Sequence, residues 1–278
     1  MLSKTQIIDA AVEVRCPDAA VLKALLPHFN RAEHRLAARN LVSLEIGCEN
    51  GNYLLPSGRR EVAPEIAARI AWKHVSHRLE DCLSSWLQIN GLCVDHGGRR
   101  LFVIGDSMVI RQVLAMHCLG SELEVPSAAG LCLKDGMTVP YALPITLDPT
   151  DVARLRTKAG LTFSAEEDYD GGVKKYWVTP IAFGRKWIVE ARPLNAIAVL
   201  TWNPGGWSGL RPYGRGDLFE TIIQSCHLPQ TLDTAARLKL VQAAKSIAAT
   251  IPAIELRLGQ FEEAPPLLTS YLRTYSGA

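Results

Sequence analysis

The stretch that most constrains this chain is Leu101 to Gln112, LFVIGDSMVIRQ, an apolar run that stops at Gly105-Asp106-Ser107. A short apolar strand that breaks at glycine and runs into amphipathic residues delivers the chain to a helix N-terminus, which is how a phosphate-binding loop begins. The match does not continue. With its first glycine at Gly105, the pattern G-x-x-x-x-G-K-[ST] requires Gly, Lys and Ser/Thr where the chain has Ile110, Arg111 and Gln112.

Patterning on either side predicts a mixture of strands and helices. Residues 6–15 read as a strand, and Asp18 to about Ala38 as one or two helices broken at Pro27. Val42–Ile46 and Asn52–Leu55 are expected to pair around Glu49-Asn50-Gly51, since Asn-Gly is a strong hairpin signal. Apolar residues at helical spacing from Ile66 to Trp86 predict an amphipathic helix from Pro64 to about Leu87. Leu87–Val94 and Arg100–Ile104 flank the turn Asp95-His96-Gly97-Gly98, a helix is expected over Ser107–Leu119, and a second hairpin turns at Lys134-Asp135-Gly136. Beyond these, the pattern predicts a short helix over Pro149–Lys158 and strands near Tyr176–Val178, Ile181–Phe183, Trp187–Glu190 and Ile197–Trp202. Trp202–Gly216, rich in Gly and Pro, reads as a surface loop. Helices over Asp217–Ser225 and Leu232–Ala249, a strand over Ala253–Leu258 and a helix over Phe261–Arg273 complete the reading. Strands and helices do not alternate regularly, which favours an α/β fold with a partly antiparallel sheet over a doubly wound one.

Composition excludes several classes. With 278 residues, 48% of them hydrophobic, the chain can bury a full core. A net charge of +2 gives no long-range field toward nucleic acid or a membrane surface. No apolar run approaches the roughly 18 residues of a membrane span, and the N-terminus lacks a signal-peptide pattern, so the expected location is cytoplasmic. Seven scattered cysteines without a C-x-x-C pair indicate neither a disulfide framework nor zinc; buried or idle thiols are expected.

Taken in order, INGLCVDHGGRRLFVIGDS, the helix after it, LCLKDGMTVPYALPITLDP and RPLNAIAVLTWNPGG resemble the bacterial HPr kinase/phosphorylase family, and especially its shorter HPr-kinase-related relatives. The resemblance spans about Leu87 to Arg273. It implies a P-loop kinase-like mixed sheet with flanking helices, similar to the C-terminal part of phosphoenolpyruvate carboxykinase. That domain would occupy 86–278, with a small α+β region and a long bridging helix over 1–85. The family loop reads like GDSGIGKS. Gly105, Asp106 and Ser107 match it, whereas Met108 and Ile110 replace glycines, Arg111 the lysine and Gln112 the magnesium-binding hydroxyl. The family's acidic segment, reading like SDD, corresponds to Pro126-Ser127-Ala128-Ala129 without a carboxylate, and a family histidine to Asn90. Phosphoryl transfer rests on positioning and electrostatic stabilisation, and single electrostatic groups are commonly worth roughly 10²–10³ in rate. The combined losses imply a catalytically inactive relative with no cofactor, kept as a binding, scaffolding or regulatory subunit. Its expected partner is a protein of the same pathway, such as a biosynthetic enzyme, or a second copy of itself. The alternative is an active kinase or phosphatase of a serine or small molecule, using ATP and Mg at a rebuilt phosphate site, with Arg111 replacing the lysine and a metal ligand arriving from elsewhere, such as Asp135 or Asp148.

Other candidates each carry two readings. Arg111 is either a surviving anion contact or a helix arginine on a solvated face, and Asp106 and Ser107 are either catalytic remnants or helix caps. His74 and His77 share a helix face, yet a metal needs three or four ligands. Arg59-Arg60 and Arg99-Arg100 follow glycines and read as solvated hairpin tips, and Glu166-Glu167-Asp168 as a solvated charge run. Trp202, Trp207, Arg211, Tyr213 and Arg215 carry the residue types that interfaces favour, which makes them candidates for partner binding.

Overall fold

The computed structural model describes residues 1–25, 29, 32–58, 60–61, 63–134, 136–170, 173–227 and 233–274. Its helices are α1 (Ala19–Leu25), α2 (Pro64–Cys82), α3 (Met108–Leu119), α4 (Pro149–Thr157), α5 (Arg215–Ser225), α6 (Thr234–Thr250) and α7 (Ala264–Thr274). The architecture is mixed α/β with several sheets. No helix among the described residues is long and apolar enough to cross a membrane.

A six-stranded sheet carries the glycine loop. Its order is Glu124–Ser127, Leu92–His96, Arg99–Ile104, Ala196–Trp202, Ala253–Leu258 and Gly209–Pro212. The central Arg99–Ile104, Ala196–Trp202 and Ala253–Leu258 run parallel, and the outer strands are antiparallel to their neighbours. Leu101–Ile104 and Ala196–Ala198 are fully buried because both faces of these strands are covered. Alternation divides them: Leu101 and Val103 pack with α3 and α7, while Phe102 and Ile104 pack with α5 and α6.

A second, wholly antiparallel sheet has the order Arg192–Pro193, Met137–Pro140, Gly130–Lys134, Leu87–Asn90 and Cys226–His227. The expected single run Leu87–Val94 is split between the two sheets at Gly91. A Cβ there would lie 2.5 Å from Phe102 Cζ and 2.6 Å from the Val103 carbonyl oxygen, so glycine alone lets the chain pass.

At the N-terminus, Leu2–Ile7 and Ala10–Arg15 form a hairpin that Asn40–Glu45 extends in parallel. The expected single strand over 6–15 is thus two strands about Ile8-Asp9. α1 and α2 cover this sheet, and their shared core also contains Cys132, Val139, Trp187 and Val189 from much later in the chain. Of the helical span expected to about Ala38, α1 covers Ala19–Leu25 and Glu33–His34 is instead a strand parallel to Ile188–Val189, while Pro27 lies outside the described residues. Asn50 and Gly51, at φ 49° and 75°, close the expected turn, but against Gly47–Glu49 and not Val42–Ile46. Ile181–Phe183 belongs to a 3-10 turn over Pro180–Phe183, since proline has no N–H for a ladder. The hairpin around Asp135 forms as expected, although Asp135 itself, like the predicted Leu232 helix start, lies outside the described residues.

Candidate functional site

The loop leaves the C-terminal end of Arg99–Ile104 in a left-handed turn. Gly105 sits at φ 85°, where a Cβ would approach the Leu200 carbonyl oxygen to 3.1 Å. Asp106 follows at φ 52°, a conformation that asparagine and aspartate tolerate better than most residues. Its carboxylate accepts from the Ser107 N–H at 2.6 Å and the Trp202 N–H at 3.1 Å. Ser107 caps α3, its Oγ accepting from the Ile110 N–H at 3.3 Å. Two N–H groups of the kind that hold an anion at a helix N-terminus are therefore occupied by the loop's own side chains.

Arg111 fills the other half of the turn. Its Nη1 donates to the carbonyls of Gly105 at 2.8 Å and Asp106 at 2.7 Å. The residue is half-buried and its Nε has no partner among the described atoms. Burial lowers its pKa and the Asp106 charge partly offsets that. Arg111 thus spends its Nη1 on the loop's own carbonyls. At the tip, Met108 and Val109 are 60% and 48% exposed, an apolar surface where a phosphate-binding loop has glycine and backbone.

Ser127 and Asn90, the positions that the resemblance sets against catalytic groups of the family, have the following surroundings. Ser127 donates to the Tyr141 carbonyl at 2.6 Å and accepts from the N–H groups of Ala129 and Gly130, which fixes a tight turn. Asn90 borders a cavity of about 210 Å³ beneath α2, together with Gln88, whose Nε2 is buried without a partner among the described residues.

Arg100 corrects the reading of a solvated hairpin tip. It is 1% exposed and grips Asp95 with two bonds of 2.9 and 2.8 Å, then reaches the Thr138 carbonyl at 2.8 Å in the other sheet. Arg192 approaches the same carboxylate at 3.4 Å and pairs with Glu190, which Arg35 holds at 3.0 Å. The signal was available in the alternation: Arg100 shares a face with Phe102 and Ile104 and stands directly opposite Asp95 across the hairpin. Arg59 lies outside the described residues, and its neighbour Arg60 is exposed.

The five candidate interface residues are not gathered in one surface loop. Gly209–Pro212 is an edge strand and Arg215 opens α5, because the pairing with Ala253–Leu258 overrides the Gly/Pro composition. Trp202 is half-buried and stacks on Phe261. Trp207 is 47% exposed, with Arg211 and Arg257 over its ring at 4.5 and 5.2 Å. Tyr213 packs toward α5, its hydroxyl 3.2 Å from Thr221 Oγ1. His74 and His77 line a shallow depression with Lys73, and no cluster of three or more His, Cys, Asp or Glu among the described residues could hold a metal. Glu167 pairs with Lys174 on an exposed hairpin, and the side chain of Asp168 lies outside the described residues. Four of the cysteines, Cys16, Cys93, Cys118 and Cys132, are buried, whereas Cys48 is exposed.

Comparison with protein-family models and with curated proteins finds no match to this chain.

Proposed function

We propose that this protein is a non-catalytic relative of the HPr-kinase-like proteins, retained as a binding or regulatory subunit. The observation that carries the reading is the self-filled loop, in which Asp106 takes the anion's place at the helix N-terminus and Arg111 takes the carbonyls. The parallel run of strands ending in Gly105 and followed by α3 supports a P-loop-like origin. ATP with Mg does not fit the residues present: the hydroxyl is Gln112, the glycine cradle is broken at Met108 and Ile110, and the acidic segment is Ser127-Ala128-Ala129. A rebuilt kinase site would need Arg111 free and Asp135 or Asp148 available; Arg111 is tied to the loop and Asp148 pairs with Lys175, while Asp135 lies outside the described residues. The partner we propose is a protein of the same pathway or a second copy of the chain. Calorimetric titration with Mg-ATP tests the reading. No heat of binding is expected at micromolar ligand, and a micromolar Kd overturns it.

A further inference from the structure

Open α/β sheets hold ligands in crevices outside the carboxyl ends of their parallel strands. Beyond the ends of Ala196–Trp202 and Ala253–Leu258 lies a cavity of about 300 Å³, walled by α3 and α4 and of a size suited to a small molecule. One wall is a stack of rings. Trp202 lies 4.0 Å from Phe261 at 14°, and Phe261 lies 5.7 Å from His117 at 15°. His117 is buried, and burial holds its pKa below the ordinary range, so the wall is neutral near pH 7.

α4 supplies the charge. Arg154 and Lys158 stand one turn apart at the rim, at the C-terminal end of α4 where the helix dipole favours cations, and Asp151 one turn earlier offsets part of their repulsion. Neither side chain makes a hydrogen bond or ion pair among the described residues. Asp151 and Glu262 share the same rim and oppose a polyanion, so the pocket suits a ligand with one or two negative charges. Because the Trp202 N–H is held by the Asp106 carboxylate, the self-filled loop fixes the aromatic wall in place.

We propose that this cavity binds a planar aromatic molecule bearing an anionic group, its ring packed against the Trp202–Phe261–His117 wall and its charge between Arg154 and Lys158. Two probes separate the sources of that chemistry: indole-3-carboxylate and adenosine monophosphate, each titrated calorimetrically into the full chain in the presence of a chelator. Saturable one-site binding with a Kd of tens of micromolar or tighter is expected for at least one probe. Replacing both exposed cations, Arg154→Glu with Lys158→Glu, is expected to weaken it at least tenfold without changing the circular dichroism spectrum or Tm. The proposal is overturned if neither probe saturates below millimolar concentration, or if the folded double variant binds as the parent does. The double variant leaves residues 105–112 untouched, so its loss of binding assigns the site to this cavity, and Mg-ATP binding at the loop would not alter that assignment.

Discussion

Asp106 offers acceptors to two backbone N–H groups and Arg111 offers donors to two carbonyls, so the turn at Gly105 is held without any ligand. Arg111→Ala is expected to cost about 1–3 kcal/mol, the range for charged hydrogen bonds lost from a half-buried group, read as a lower denaturant midpoint. An unchanged midpoint would show that the clasp contributes nothing. Arg100→Ala leaves the buried Asp95 carboxylate with Arg192 alone beside it and is expected to cost about 3–5 kcal/mol by the same measurement. A third prediction concerns pH. Burial lowers the His34 pKa from 6.5 to about 4, so between those values the unfolded chain binds a proton that the folded chain excludes. Its contribution is therefore complete above pH 6.5 and is lost as pH falls toward 4, and His34→Gln is expected to flatten that part of the stability profile. Ser107 as a helix cap was legible in the sequence because capping is a local affair. The inward turn of Arg111 was not, since it depends on carbonyls oriented by the left-handed pair before it.

At the scale of elements, local signals located most of the hairpins and helices, and what they missed was which strands pair. Asn50-Gly51 marks its turn correctly, yet Asn40–Glu45 is claimed by Ala10–Arg15 and a shorter segment closes the hairpin. Gly91 marks a strand break that the apolar pattern hides, because residues on both sides are buried in different sheets. Gly91→Ala would push a methyl into Phe102 and the Val103 carbonyl, at an expected cost of about 1–3 kcal/mol by overpacking. Thermal unfolding of that variant beside an alanine substitution at the exposed turn glycine Gly97 separates crowding from loss of left-handed freedom, since nothing lies within 4 Å of a Cβ at Gly97. The cavity beyond the parallel strands was invisible for a related reason: Trp202, Phe261, His117 and α4 are far apart in sequence, and only the return of the chain to one end of the sheet unites them.

At the scale of the whole molecule, the apolar cores formed by the described residues are stitched together by residues remote in sequence. The core beneath α1 and α2 draws Val139, Trp187 and Val189 from beyond residue 86, so a fragment that begins there uncovers an apolar face. Such a fragment is expected to unfold at a lower denaturant concentration than the full chain, and to elute as aggregate in size-exclusion chromatography. Equal midpoints would mean that the two regions stand independently. The join between the two large sheets has a different character, because Arg100 and Asp95 are only 1% and 4% exposed at the side chain. Mobile counterions that weaken Lys174–Glu167 and the other surface pairs do not reach them. Raising the ionic strength should therefore loosen the periphery of this protein while leaving its central seam intact.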